Sequence, residues 1–231
     1  MNIVINGGSR GIGKETALKM SGSRNNKVFV TGRNSAALIE LAASAQSGNI
    51  YTYVADITLL DKNEKIFIEA VRAIMDEVDI LINNAGFLVH REFTEFDMAD
   101  ARKMMEANFF GPASVIRLLK PMMKRGSHII NISSMGGFQG SSKYRGMSFY
   151  SASKAALACL SECLAVEFRE SGISVNCLAL GAVQTEMFEE AFPGLKAPVR
   201  ASEMAGYIAD FAVNGNKYFN GKVIPVAFSD P

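Results

Sequence analysis

Asn6-Gly7-Gly8-Ser9-Arg10-Gly11-Ile12-Gly13 stands between the apolar run Ile3-Val4-Ile5 and a stretch of helical patterning over 12–21. Glycines let a backbone turn tightly and approach a ligand with no Cβ in the way. A strand that passes through such a loop into a helix presents free N–H groups at the positive end of the helix dipole. That arrangement suits a phosphate or pyrophosphate. The spacing is G-x-x-x-G-x-G and not the commoner G-x-G-x-x-G. Outward from this loop the chain repeats the same rhythm. Strand-like runs fall at Ile3–Asn6, Lys27–Thr31, Tyr51–Ala55, Asp79–Asn83, His128–Ser133, Ser174–Leu180 and Lys222–Ala227. Helical patterns lie between them, near 12–21, 35–45, 60–76, 97–124, 150–171 and 202–213. Several runs are continuously apolar, such as Val28-Phe29-Val30 and Ile80-Leu81-Ile82, as strands buried on both faces are. The alternation predicts an α/β fold with a largely parallel sheet covered by helices on both faces. Glu186–Arg200, with Pro193-Gly194 and Pro198, reads as a loop or short helices over the end of the fold.

The chain has 231 residues, 48% hydrophobic and 20% charged. With no repeat and no linker-like segment, residues 1–231 read as one domain. Its 24 basic and 23 acidic residues leave a net charge of +1, which argues against nucleic acid as a partner. Cys159, Cys163 and Cys177 are too few and too odd in number for a disulfide framework. Cys159 and Cys163, one helical turn apart, read as small buried side chains, and no metal site is expected. No apolar run is long enough to span a membrane, and the first residues lack a basic leader. The expectation is a cytoplasmic protein.

Tyr150-Ser151-Ala152-Ser153-Lys154 opens a helical segment, and residues four apart share a helix face. A phenol beside an ammonium has its pKa lowered, and can exchange a proton with a substrate oxygen near neutral pH. A rival reading takes Gly7-Gly8-Ser9-Arg10-Gly11 as the G-x-S-x-G elbow of a serine hydrolase with Ser9 as nucleophile. That reading needs a late histidine. The only histidines are His90 and His128, and neither lies near the C-terminus.

Taken in order, Gly7–Gly13, Asp56, Asn83-Asn84-Ala85-Gly86, Asn108, Ser133-Ser134, Tyr150 with Lys154, and Gly181 to Thr185 resemble the short-chain dehydrogenase/reductase family along essentially the whole chain. The resemblance implies a Rossmann-like, doubly wound, seven-stranded parallel sheet of order 3-2-1-4-5-6-7. It implies hydride transfer between a nicotinamide cofactor and a carbonyl or alcohol. Tyr150 would be the acid/base, and Lys154 would bind the nicotinamide ribose and depress the Tyr150 pKa. Ser134, preferred over Ser133, would hydrogen-bond the reacting oxygen, and Asn108 would hold a water linking Lys154 to a proton relay. Gly7, Ser9, Arg10, Gly11, Ile12 and Gly13 would cradle the cofactor's phosphates. Asp56 and Ile57 would meet the adenine, and Asn84, Ala85 and Gly86 would pass close to the cofactor. Gly181, Val183 and Thr185 would hold the nicotinamide end. The family is often dimeric or tetrameric through the two long helices, here 97–124 and 150–171.

A carboxylate about 20 residues past the glycine loop usually selects NAD. Here the second strand ends in Thr31-Gly32-Arg33-Asn34, and after Glu15 the next acid is Glu40. Arg33 with Asn34, and Arg10 in the loop, point to the 2′-phosphate of NADP(H), since guanidinium pairs well with phosphate. The substrate is expected to be a ketone, aldehyde or oxoacyl compound. Met187, Phe188, Phe192 and Leu195 are candidates for an apolar mouth. A regulator that binds NADPH without turnover is the alternative, and intact Ser134, Tyr150 and Lys154 argue against it. The sequence departs from the family at Asn6 (frequently Thr), at Leu180 (usually Pro) and in a longer loop between Ser134 and Tyr150. Ser229-Asp230-Pro231 stands where a Gly-Gly tail is frequent.

Overall fold

The computed structural model describes Met1–Phe228, and the tail reading at Ser229–Pro231 lies outside the described residues. Seven strands form one parallel sheet: β1 (Asn2–Asn6), β2 (Lys27–Gly32), β3 (Ile50–Val54), β4 (Ile80–Asn83), β5 (His128–Ser134), β6 (Ser174–Leu180) and, last in the chain, β9 (Val223–Val226). Their order is β3-β2-β1-β4-β5-β6-β9, with every pairing parallel. The sheet is Rossmann-like. Two further strands of two residues, β7 (Val183–Gln184) and β8 (Val199–Arg200), pair outside it. Pro225 lies in β9, at the sheet edge, where its missing N–H is tolerated.

Period-two alternation divides the strands' apolar side chains between two layers. Ile3, Ile5, Val28, Val30, Ile80 and Ile82 pack with α1 (Gly11–Ser21), α2 (Ser35–Ser44) and α8 (Ala201–Asn214). Val4, Phe29, Leu81 and Ile129 pack on the other face with α3 (Glu64–Arg72), α5 (Gly111–Leu119) and α6 (Ser148–Glu167). A slip of one residue in any strand would exchange the layers, so burial on both sides pins the register.

One row of this sheet is polar. Thr31, Asn6, Asn83 and Asn131 are register neighbours on β2, β1, β4 and β5. Thr31 Oγ1 donates to Asn6 Oδ1 (2.9 Å), Asn6 Nδ2 to Asn83 Oδ1 (2.7 Å), and Asn83 Nδ2 to Asn131 Oδ1 (2.8 Å). Asn131 Nδ2 then donates to Ser161 Oγ on α6 (2.8 Å). Each amide gives and takes in one direction, so these buried groups are satisfied. Asn6 thus takes part through its side-chain amide.

The helical patterns at 60–76 and 97–124 are each interrupted. A 3₁₀ turn over Ile57–Lys62 precedes α3, with Asp56 as its N-cap. The second stretch runs as α4 (Met98–Met105), a π-helical turn (Glu106–Phe110) and α5. The expected irregular segment contains α7 (Glu186–Ala191). Among the described residues no helix is long and apolar enough to cross a membrane. Cys177 is buried, but Cys159 and Cys163 are exposed on the outer side of α6, which corrects the expectation that they are buried.

Candidate active site

Gly7 and Gly8 both donate their N–H groups to Thr31 O (2.9 Å each), which folds the glycine loop over the end of β2. Gly7 has φ +77°, and a Cβ there would lie 2.5 Å from Ala85 Cα. A Cβ on Gly13 would lie 2.2 Å from Gly7 O. No larger residue fits at either place. Asn84 Nδ2 donates to Gly7 O (2.8 Å) and ties the loop to the end of β4. α1 then begins at Gly11 with no side-chain cap from Arg10. This is the backbone cradle that suits an anion at a helix start.

The carboxyl ends of the strands open into one cavity of about 470 Å³. It is lined by all the candidate site residues except Gly13, Asn34 and Asn108. Gly13 is buried beneath the loop and makes room for it. Asn34 is spent as the N-cap of α2, where its Oδ1 accepts from Ala37 N–H at 3.1 Å. Asp56 lines the cavity while its Oδ1 accepts from the Thr58 N–H (3.0 Å) and hydroxyl (2.8 Å). Thr185 lines it too, as the N-cap of α7, its Oγ1 accepting from Phe188 N–H at 3.2 Å. Arg33 is exposed at the rim, and Arg10 is ion-paired with Glu190 at 2.6 Å.

Tyr150 and Lys154, one turn apart at the start of α6, both face the cavity. The Tyr150 phenol faces the Ser134 hydroxyl across the cavity, and burial pushes its pKa up to about 12 while that hydroxyl pulls it back. Lys154 Nζ donates to Ile132 O (2.8 Å) and stands 5.9 Å from the Tyr150 ring centre. Its pKa is pushed down to about 8 by burial. Desolvation, which disfavours the phenolate, thus raises the Tyr150 pKa where a depression by Lys154 is expected. Strand alternation separates the two serines of β5: Ser133 donates to Lys154 O (2.8 Å), leaving Ser134 to face the phenol.

Asn108, fully buried in the π turn, does not reach the cavity. Its Oδ1 accepts from Phe87 N–H (2.8 Å), and its Nδ2 donates to Phe87 O (2.9 Å) and Ser153 Oγ (2.9 Å). Both amide hydrogens are used, so the side chain is a tether for the chain after β4. A π turn within a helix frequently marks a functional position.

Sequence reasoning missed several lining residues. Thr31, Gly32 and Ala55 follow from the rule that ligands sit beyond strand carboxyl ends. Leu88, Met135 and Met147 carry no such signal. With Met187, Phe188 and Phe192 they make the half of the cavity around Tyr150 apolar. Both histidines are engaged away from Ser9. His128 Nδ1 lies 3.0 Å from Ala212 O and its Nε2 3.0 Å from Asn176 Nδ2, while His90 packs on Phe192 and bonds Arg145 O. The Ser9 hydrolase reading has no base.

The model of the short chain dehydrogenase family matches residues 1–196. The chain belongs to the short chain dehydrogenase family. It is 30% identical over 207 residues to an uncharacterized oxidoreductase of Staphylococcus saprophyticus, covering 87% of this chain and 86% of that one. It is 32% identical over 218 residues to the fatty acyl-CoA reductase of Acinetobacter baylyi, covering 91% and 72%. Among solved structures, ElxO with NADP bound superposes with a TM-score of 0.83 at 27% identity, over 98% of this chain and 96% of that one. A Serratia marcescens short-chain dehydrogenase/reductase mutant gives 0.87 at 25% identity, over 98% and 96%. The family comprises oxidoreductases that use NAD(P)(H).

Proposed function

We propose that this chain is an NADP(H)-dependent oxidoreductase that interconverts a carbonyl compound and its alcohol. The observation that carries the reading is that Ser134, Tyr150 and Lys154, the last two one turn apart on α6, line the same cavity as the glycine cradle. Gly7, Ser9, Gly11 and Ile12, with the first turn of α1, hold the pyrophosphate, and Asp56 and Ile57 flank the adenine. Asn84, Ala85 and Gly86 let the cofactor pass closely. Lys154, Gly181, Val183 and Thr185 hold its nicotinamide end. Arg33 and Arg10 favour a 2′-phosphate, and the NADP-bound ElxO neighbour is consistent with that.

A bound reduced nicotinamide supplies hydride to the carbonyl carbon. Ser134 Oγ hydrogen-bonds the carbonyl oxygen and steadies the charge that develops there. Tyr150 Oη gives its proton to that oxygen. With its pKa pushed up to about 12 the phenol keeps its proton at neutral pH, and it is still a stronger acid than the alcohol formed, so protonating the developing alkoxide runs downhill. The phenolate left behind is buried, and the Lys154 ammonium is the cation next to it. Asn108 positions this machinery through Phe87 and Ser153 and does not touch the reacting atoms.

The apolar half of the cavity selects a carbonyl carried on an apolar body: a ketone, an aldehyde or an oxoacyl group. The name of the Acinetobacter baylyi relative belongs to the same chemical neighbourhood. The chain works as a single domain and assembles as a homodimer or homotetramer through the α4–α5 and α6 helices, where Phe110 and Val166 are 49% and 62% exposed. Free thiols at Cys159 and Cys163 fit a cytoplasmic setting. A panel of apolar aldehydes, ketones and oxoacyl thioesters, followed by NADPH oxidation, tests the assignment. Turnover of at least one apolar member is expected. Tight NADPH binding with no turnover across the panel would replace the enzyme by an NADPH sensor.

A further inference from the structure

The excursion between Thr185 and Val199 leaves the sheet and returns. Its ends are tied by the β7–β8 pairing and by Ala197 N–H donating to Gln184 Oε1 at 2.8 Å. α7, which it carries, has two working sides. Met187 and Phe188 line the apolar cavity. Glu186 and Glu190, one turn apart, face the glycine loop instead. Glu190 Oε1 accepts from Arg10 Nη1 at 2.6 Å, and Glu186 Oε2 lies 3.4 Å from where a Cβ on Gly11 would stand. Both carboxylates act on the Arg10 guanidinium and raise its pKa, Glu190 foremost. Glu189 is turned aside and accepts from Gln184 Nε2 at 2.6 Å.

We propose that Glu190 is a specificity-determining residue for the cofactor: its carboxylate occupies the guanidinium of Arg10 and so competes with the 2′-phosphate of NADP(H). This rests on the reading above that Arg10 receives that phosphate. NAD(H) carries no group to contest Arg10 and leaves the Arg10–Glu190 pair in place. The pair therefore sets how far the chain prefers the phosphorylated cofactor, and it ties α7 to the glycine loop. Coupling of this kind is reciprocal: what displaces Glu190 from Arg10 also loosens α7. The two side chains are 47% and 64% exposed, so the effect is of the size of a surface ion pair, up to about fivefold in affinity.

The experiment uses Glu190→Gln and Arg10→Ala in the full chain, with NADPH and NADH affinities measured by direct titration. Tryptic cleavage after the exposed Lys196, in the protein alone, gives a second readout. The expected result for Glu190→Gln is NADPH bound two- to fivefold more tightly, NADH changed by less than about half, and faster cleavage at Lys196. Unchanged NADPH affinity in Glu190→Gln, or equal tightening of both cofactors, overturns the proposal alone if Arg10→Ala still weakens NADPH selectively. If Arg10→Ala changes neither cofactor, the 2′-phosphate reading of Arg10 falls and the proposal with it.

Discussion

Replacing Asn83 by alanine breaks the polar row across the sheet at its centre. Asn83 is 1% exposed, and Asn6 and Asn131 are fully buried. The substitution leaves Asn6 Nδ2 without its acceptor at 2.7 Å and Asn131 Oδ1 without its donor at 2.8 Å. Each orphaned buried group costs about 1–3 kcal/mol, so the variant should lose about 2–6 kcal/mol of unfolding free energy. That is a large fraction of the stability of an ordinary domain. Urea unfolding followed by circular dichroism measures it as a lower midpoint. A double-mutant cycle with Asn131→Ala sharpens the test. Once Asn83 is gone, Asn131 has already lost that partner, so the second substitution should cost about 1–3 kcal/mol less than it does alone. A loss under about 1 kcal/mol, together with additive single effects within about 0.5 kcal/mol, would refute the view that this row is a connected network.

Two further predictions rest on charge. His128 is buried with its pKa pushed down to about 4 from 6.5 by desolvation, against the backbone bond to Ala212. Between those two values the unfolded chain binds the proton and the folded chain does not. The contribution is therefore fully present above about pH 6.5 and is lost as pH falls through 4, worth about 3 kcal/mol in all. Urea midpoints measured across that window should fall with pH, and His128→Leu should flatten the slope; an unchanged slope in the variant would contradict the assignment. For the cofactor, Arg33→Asp should weaken NADPH binding about 10- to 100-fold and leave NADH bound as well or better, read by titration. NADPH binding that survives the substitution would remove Arg33 from the phosphate site.

The sheet was legible because buried parallel strands leave continuous apolar runs, and all seven runs became strands within a residue or two. Tyr150 with Lys154 was legible because helical spacing alone puts them on one face. The π turn at Asn108 went unread although Gly111-Pro112 follows it directly: Pro112 has no N–H to donate to Asn108 O, so the α-helical ladder is interrupted there. Asn34 follows a local rule, capping α2 through its Oδ1. α7 is one of the short helices allowed for between Glu186 and Arg200, and it ends just before the turn that Pro193-Gly194 marks. The direction of the Tyr150 pKa shift was misjudged because spacing reports the nearby ammonium but not the depth of burial. Cys159 and Cys163 were placed inside by composition, whereas α6 turns that side of itself outward.

The most direct measurement is the turnover of Tyr150→Phe on a carbonyl that the unsubstituted chain reduces, beside its NADPH affinity. The phenol is the proton donor in this account, so kcat should fall by about 100-fold or more while the cofactor dissociation constant stays within about twofold. Reduction at the unsubstituted rate by the phenylalanine variant would show that the proton comes from elsewhere.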